Sequence, residues 1–167
     1  MQNERSHLKW CLGQSKGIKL ARSSDNLAKA YMQKSRNALM SMEINAKAGI
    51  TEWAVSASYY AKYFAVYALF MKIGVKCEIH DCTITLFNYL FADNVHPSVI
   101  QEFKQSKENR IEMQYFTRET KTDTDKLMAQ TKNFVLEIEK IYDVLNSEKI
   151  VILQSKLKGM SIRDDNM

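Results

Sequence analysis

Apolar positions recur along this chain at intervals of three and four, the rhythm of helices that bury one face, while strand-type alternation never lasts more than a few residues. The rhythm is strongest from Glu52 to about Ile73, where it occurs twice. Trp53, Ala57, Tyr60, Phe64, Tyr67 and Met71 make one stripe, and Tyr59, Tyr63, Val66, Phe70 and Ile73 make a second, one position away. A helix apolar on most sides must be covered on most sides. This one is expected at the centre of a bundle, or packed on one side within the subunit and on another across a dimer interface. Gly74 ends it.

The other elements fall on either side of that helix. Ser24 is a suitable cap for a first long helix, with Asp25 favouring the positive end of its dipole, a stripe of Leu27, Tyr31, Ala38, Met42 and Ala46, and Gly49 as its end. Thr51 is then placed to cap the central helix. The stretch DCTITLFNYLF, from Asp81, reads alone as either strand or helix; its helical surroundings and the shared face of Leu86, Tyr89 and Leu90 favour a short helix. Pro97 suits the first turn of another helix, running through Val99, Ile100 and Phe103 into KENRIEMQYF. The last long helix follows TKTDTD, with Thr122 and Asp125 resembling a capping box and Leu127, Phe134, Ile138, Ile141 and Leu145 as its stripe. The run IVILQSKLKGM reads as terminal helix or edge-seeking strand. The expectation is all-α, an antiparallel up-and-down bundle of four or five helices. Residues 1–23 form an N-terminal arm with at most one short helix, 24–146 the bundle and 147–167 a tail.

Composition narrows the class. With 46% hydrophobic and 26% charged residues in 167, the chain can bury a core without staples, which excludes disordered and fibrous classes. Five Gly and a single Pro leave few places where a helix must stop. Three Cys without framework spacing, and a polar start, point to a reduced, cytoplasmic protein. No apolar run reaches the roughly 20 residues of a membrane span, because Lys62 and Lys72 interrupt the most hydrophobic stretch, so a soluble protein with no membrane partner is expected. A net charge of +5 allows an anionic partner, but most Lys and Arg alternate with Glu and Asp as on an ordinary solvated face.

Candidate chemistry is sparse. Cys77, His80 and Cys82 carry zinc-type donors, but a tetrahedral site needs four ligands and only isolated His7, His96 and Cys11 remain, so no metal and no cofactor is expected. GIKLARSSDN lacks the glycine pattern of a phosphate-cradling loop. The aromatics of SYYAKYFAVYALF suggest base stacking, yet at helical spacing they read first as core, with one or two Tyr hydroxyls lining a cleft. In KENRIEMQYF, Asn109, Met113 and Phe116 share one helical side, while Arg110 and Gln114 pair on another. Arg110 with Tyr115 nearby is the candidate phosphate holder, because a guanidinium fork matches phosphate oxygens; the competing reading is a solvated helix face.

The stretches KWCLGQSKGIKL, LAKAYMQKSRNAL, SASYYAKYFAVYALFMKIGVKCEIHDCTITLF and NRIEMQYF together resemble the HEPN domain family, in particular its small prokaryotic, mostly archaeal branch. The likeness runs from about Lys9 to Leu145, with Ser58-Tyr59-Tyr60-Ala61 and Phe64, then Gly74 and His80, as its best motif. It implies a helical bundle that forms a homodimer around a cleft. Many members are metal-independent endoribonucleases of toxin–antitoxin systems that use Arg-x4–6-His; others lack that motif and bind nucleotides or pair with small nucleotidyltransferases. Aligned on Asn109 and Tyr115, the pattern Arg-Asn-x-x-x-His-x-Tyr finds Glu108 in place of its Arg and Met113 in place of its His. Met transfers no proton and Glu repels phosphate. The resulting expectation is a non-catalytic module for RNA, a nucleotide or a partner nucleotidyltransferase, with Asn109, Arg110 and Tyr115 as ligand-binding residues. The alternatives are an active ribonuclease using Arg110 and Tyr115, with His80 contributed from elsewhere, and a purely structural oligomerising protein.

Overall fold

The central helix is central because nearly every side of it is apolar or small. In the computed structural model, which describes residues 2–116 and 122–161, α3 spans Thr51–Ile73 and buries residues all around its circumference, from Ala54 and Val55 through Tyr59, Tyr63, Val66 and Phe70 to Ile73. Around it lie α1 (Gln2–Gly13), α2 (Asp25–Lys47), α4 (His80–Phe91), α5 (Pro97–Tyr115), α6 (Thr124–Val144) and α7 (Ser147–Ser161). The molecule is an all-α bundle with one minimal antiparallel ribbon, β1 (Lys19–Leu20) against β2 (Val75–Lys76), registered Lys19 to Lys76 and Leu20 to Val75.

α2 and α3 are joined through 48–50 and pack along their lengths. The buried stripe of α2 is Ala28, Met32, Ser35 and Met42, which keeps Met42 of the expected stripe and otherwise lies round from it; Leu27 is 47% exposed and Tyr31, Ala38 and Ala46 are half-buried. Ala28 and Ser35 on this face are small and let the helices approach, with Met32 and Met42 filling the space beside them. Ser35 satisfies its buried hydroxyl by donating to the Ala61 carbonyl at 2.7 Å. Phe103 fixes α5 by packing against Tyr59, Phe87 and Phe134, so α3, α4, α5 and α6 share one aromatic core.

Helix ends follow local chemistry, with two departures from expectation. Ser24 caps α2 by accepting from Leu27 N at 3.3 Å, and Pro97 opens α5 behind His96, whose ring accepts from Ser98 N. α3 begins at Thr51 after Ile50 with no side-chain cap, and α6 is capped by Asp123, which accepts from Lys126 N, displacing the Thr122–Asp125 box by one residue. Part of TKTDTD lies outside the described residues, as does 162–167 of the tail. The described tail is helical, and Leu157 buries against the core while Gln154 donates to the Ile73 carbonyl at 2.8 Å.

That last bond belongs to a set that closes the C-terminus of α3, whose final carbonyls have no partner within the helix. Ser24 N donates to Met71 O, Ser23 Oγ to Lys72 O and Ala21 N to Gly74 O, so the N-terminal arm is the cap of the central helix. Gly74 stands at φ 74°, and a Cβ there would sit 2.6 Å from Ala21 O and 2.8 Å from Ser23 N. Gly49 has the same φ with nothing within 4 Å. Gly74→Ala is therefore expected to cost about 2 kcal/mol or more, and Gly49→Ala only about 1 kcal/mol of left-handed strain, as read from urea midpoints.

The expectation of unpaired thiols is corrected. Cys11 and Cys82, separated by 71 residues, are joined in a disulfide where α1 packs on α4. Chain distance hid the pairing, since only the docking of the arm brings the two together. Cys77 is free and buried. Among the described residues no helix is long and apolar enough to cross a membrane.

Candidate functional site

The face of α5 turned toward α3 and α4 is set by Phe103, and residues four and seven further on, Lys107 and Arg110, share that face. Arg110 lies with its guanidinium 5.4 Å from the ring centres of both Tyr59 and Tyr60, donates from Nη1 to the Tyr60 hydroxyl at 3.2 Å, and from Nε to Gln114 at 3.1 Å. Two of its nitrogens each donate one hydrogen bond while the side chain stays half-buried, a posture that limits the entropy lost when it grips an anion.

His80, at the start of α4, enters the same cluster. Its ring stacks on Tyr63 at 4.5 Å between centroids, packs against Tyr59 at 5.6 Å, and its Nδ1 hydrogen-bonds the Tyr59 hydroxyl. Burial lowers the imidazole pKa, the Arg110 and Lys107 charges lower it further, and Asp81 opposes them. Burial also raises the Tyr59 and Tyr63 phenols far above their ordinary value, so both remain neutral hydroxyls. Lys107 is ion-paired with Asp81. The result is a patch in which Arg110 is the charge held on aromatic faces and His80 a neutral partner beside it.

Tyr60 also forms one wall of a groove between α2 and α3, of about 860 Å³, with Trp53, Phe64, Ala57 and Ala38. Lys34 reaches over the Tyr31 and Phe64 rings at 4.9 and 5.6 Å. Ser56 Oγ, buried in the wall, makes no hydrogen bond among the described residues. Trp53 is 57% exposed, so the first aromatic stripe of α3 is the side that the bundle leaves partly open.

The three expected ligand-binding residues do not converge. Arg110 faces the tyrosines. Asn109 turns to the other side of α5, accepting from Gln105 at 3.0 Å and lining a cavity of about 460 Å³ with Ser58, Lys62 and Glu102. Tyr115 is 72% exposed at the end of the helix. Glu108 is exposed and Met113 half-buried on the same helix. The zinc-type trio separates as well: Cys77 donates to the Ile79 carbonyl with its thiol pKa raised by burial, and His80 belongs to the tyrosine cluster.

Sequence reading took Lys62 only as an interruption of an apolar stretch and missed its burial. It is 2% exposed and paired with Glu102 at 2.9 Å, and the signal for it was a lone Lys in the middle of an otherwise apolar helix.

A bundle wound on an aromatic central helix, with an arginine held on that helix's tyrosines, defines a helical module with a cationic, aromatic-walled site. The HEPN domain family matches residues 28–141, from the first buried residue of α2 to the last turn of α6, and the chain belongs to that family. No curated protein matches the chain.

Proposed function

We propose that this HEPN domain binds a phosphate-bearing ligand, single-stranded RNA or a nucleotide, without cleaving it. The observation that carries this reading is Arg110, oriented on the faces of Tyr59 and of Tyr60, itself a wall of the α2/α3 groove. A phosphate takes the free side of the guanidinium. A base stacks in the groove on Trp53, Tyr60 or Phe64, and the Ser56 hydroxyl meets a base edge. The aromatic walls supply affinity that does not depend on sequence.

Titration of the chain with fluorescent single-stranded RNA and with a mononucleotide, at rising salt, tests it. Micromolar or tighter binding that weakens log-linearly with salt is the expected result. Binding absent for both probes, or indifferent to salt, defeats it.

A second reading, metal-independent endoribonuclease, is favoured by His80, which packs on Tyr59 as Arg110 does and so brings an imidazole to an arginine in the absence of the Arg-x4–6-His spacing. It requires cleavage of RNA in EDTA that disappears in both His80→Ala and Arg110→Ala.

We also read the chain as a homodimer. Beside the groove Met40 and Ile44 are each about 60% exposed on α2, an apolar rim that a second copy would cover. Sedimentation is expected to give a dimer for the native chain and a monomer for Ile44→Glu. A nucleotidyltransferase partner would occupy the same rim, and a monomeric native chain would favour it.

A further inference from the structure

We propose that His7, Cys11 and Cys82 form a metal site when the Cys11–Cys82 disulfide is reduced, a two-thiolate, one-imidazole site of the kind that holds Zn²⁺. It is built from α1 and α4, whereas the groove is lined by α2 and α3, and it does not depend on the ligand proposed there.

The donor atoms of the three residues lie within 4.8 Å of one another. His7 and Cys11 are four apart on α1, hence on one helical face, and Cys82 comes from the first turn of α4. His7 Nε2 stands 3.9 Å from Cys11 Sγ. The edge of a tetrahedron built on Zn–S near 2.3 Å and Zn–N near 2.0 Å is about 3.5–3.8 Å. The imidazole therefore already sits close to ligand spacing, and the sulfurs need to part by under about 2 Å once their bond is broken.

A second observation concerns the orientation of the ring. The Thr85 hydroxyl donates to the Asp81 carbonyl at 3.0 Å, so toward His7 Nδ1, 2.9 Å away, Thr85 Oγ1 acts as acceptor. In the tautomer that donates from Nδ1 to Thr85, Nε2 is the nitrogen with the lone pair, on the side of the sulfurs. An acceptor behind the imidazole is what metal-binding histidines use to hold their tautomer and orientation. Both cysteines are fully buried, while His7 is half-exposed and stacked on Trp10 at 5.6 Å, so the imidazole is the side of the trio nearest solvent.

The chemistry balances with a dithiol as reductant. The reductant's two thiols become a disulfide, the Cys11–Cys82 bond accepts two electrons and two protons, and two protein thiols result. Zn²⁺ then displaces those two protons and forms two Zn–S bonds and one Zn–N bond. Two thiolates and one divalent cation cancel in charge, which suits a buried site.

The test loads the full chain with Co²⁺ and with Zn²⁺, before and after anaerobic reduction and removal of the reductant. One Co²⁺ per reduced chain is expected, with thiolate-to-cobalt charge-transfer absorption and tetrahedral ligand-field bands that Zn²⁺ abolishes; the oxidised chain shows neither. Cys11→Ser is expected to weaken the charge-transfer intensity, since only the Cys82 thiolate remains. His7→Ala and Thr85→Ala are half-exposed substitutions that keep the fold, and each is expected to weaken Zn²⁺ at least about tenfold, the scale of an outer partner's loss. Cys77→Ala binds as the native chain does. A reduced chain without the cobalt spectrum overturns the proposal, and so does metal binding that His7→Ala leaves unchanged or that Cys77→Ala removes.

Discussion

Glu102→Ala is expected to destabilise the fold by about 3 kcal/mol at neutral pH, because it strands a buried ammonium. Lys62 Nζ is held on α3, 2% exposed, with Glu102 Oε1 of α5 at 2.9 Å and the Phe134 ring at 5.9 Å. Glu102 is itself partly open to solvent, which keeps the expected loss at the lower end of the range for broken buried pairs. Adding Lys62→Met is expected to restore most of the loss, since a thioether of similar length fills the space without a charge. The pH dependence has a definite sign. Burial lowers the Lys62 pKa from 10.5, with Glu102 only partly opposing it, so just below 10.5 the unfolded chain binds the more protons. Stability from this group therefore rises with pH across the window between its folded pKa and 10.5, and Lys62→Met removes that rise. Removing Glu102 depresses the pKa further and widens the window downward, so Glu102→Ala costs less at pH 10 than at pH 7. Urea unfolding at those two pH values checks both statements; an equal loss at each would contradict the buried-charge origin.

The fold was legible where local periodicity and the tertiary arrangement agree. The double stripe of α3 demanded cover on most sides, and α2, α5, α6 and α7 supply it. Ser24, Gly74 and Pro97 marked helix ends because each satisfies or removes a particular backbone group. The α2 stripe, Met42 apart, came out round from the expected one because apolar periodicity cannot tell Leu27 from Ala28, whereas close packing on α3 selects the small residue. Contacts distant in sequence were not legible at all. Cys82 meets Cys11 only through docking of α1, and His80 meets the tyrosines only through the turn after Gly74. Their residue types were visible and their partners were not. The same holds within KENRIEMQYF: Asn109, Arg110 and Tyr115 are close in sequence, but the helix sends them to a cavity, a tyrosine pair and solvent.

Of those three, Arg110 therefore carries the binding prediction, and Arg110→Ala is expected to weaken RNA or nucleotide binding about 10- to 100-fold, the loss of a charge-assisted contact of about 1.5–3 kcal/mol. The salt slope is expected to fall by about 0.7 for single-stranded RNA, because one phosphate contact disappears. Arg110→Lys separates charge from geometry. The ammonium keeps the slope but has no fork to hold the Tyr60 hydroxyl and Gln114 together, and no plane to lie over Tyr59 and Tyr60, so affinity falls while salt sensitivity stays. Lys140→Ala, which removes a cation already paired with Glu137 on the exposed face of α6, is the control for net charge and is expected to change binding less than twofold. Tyr115→Ala is expected to behave like that control, since its side chain stands in solvent and away from the tyrosine pair. If Lys140→Ala weakened binding as much as Arg110→Ala, attraction would come from the overall positive charge of the chain and not from a guanidinium seated on two tyrosines.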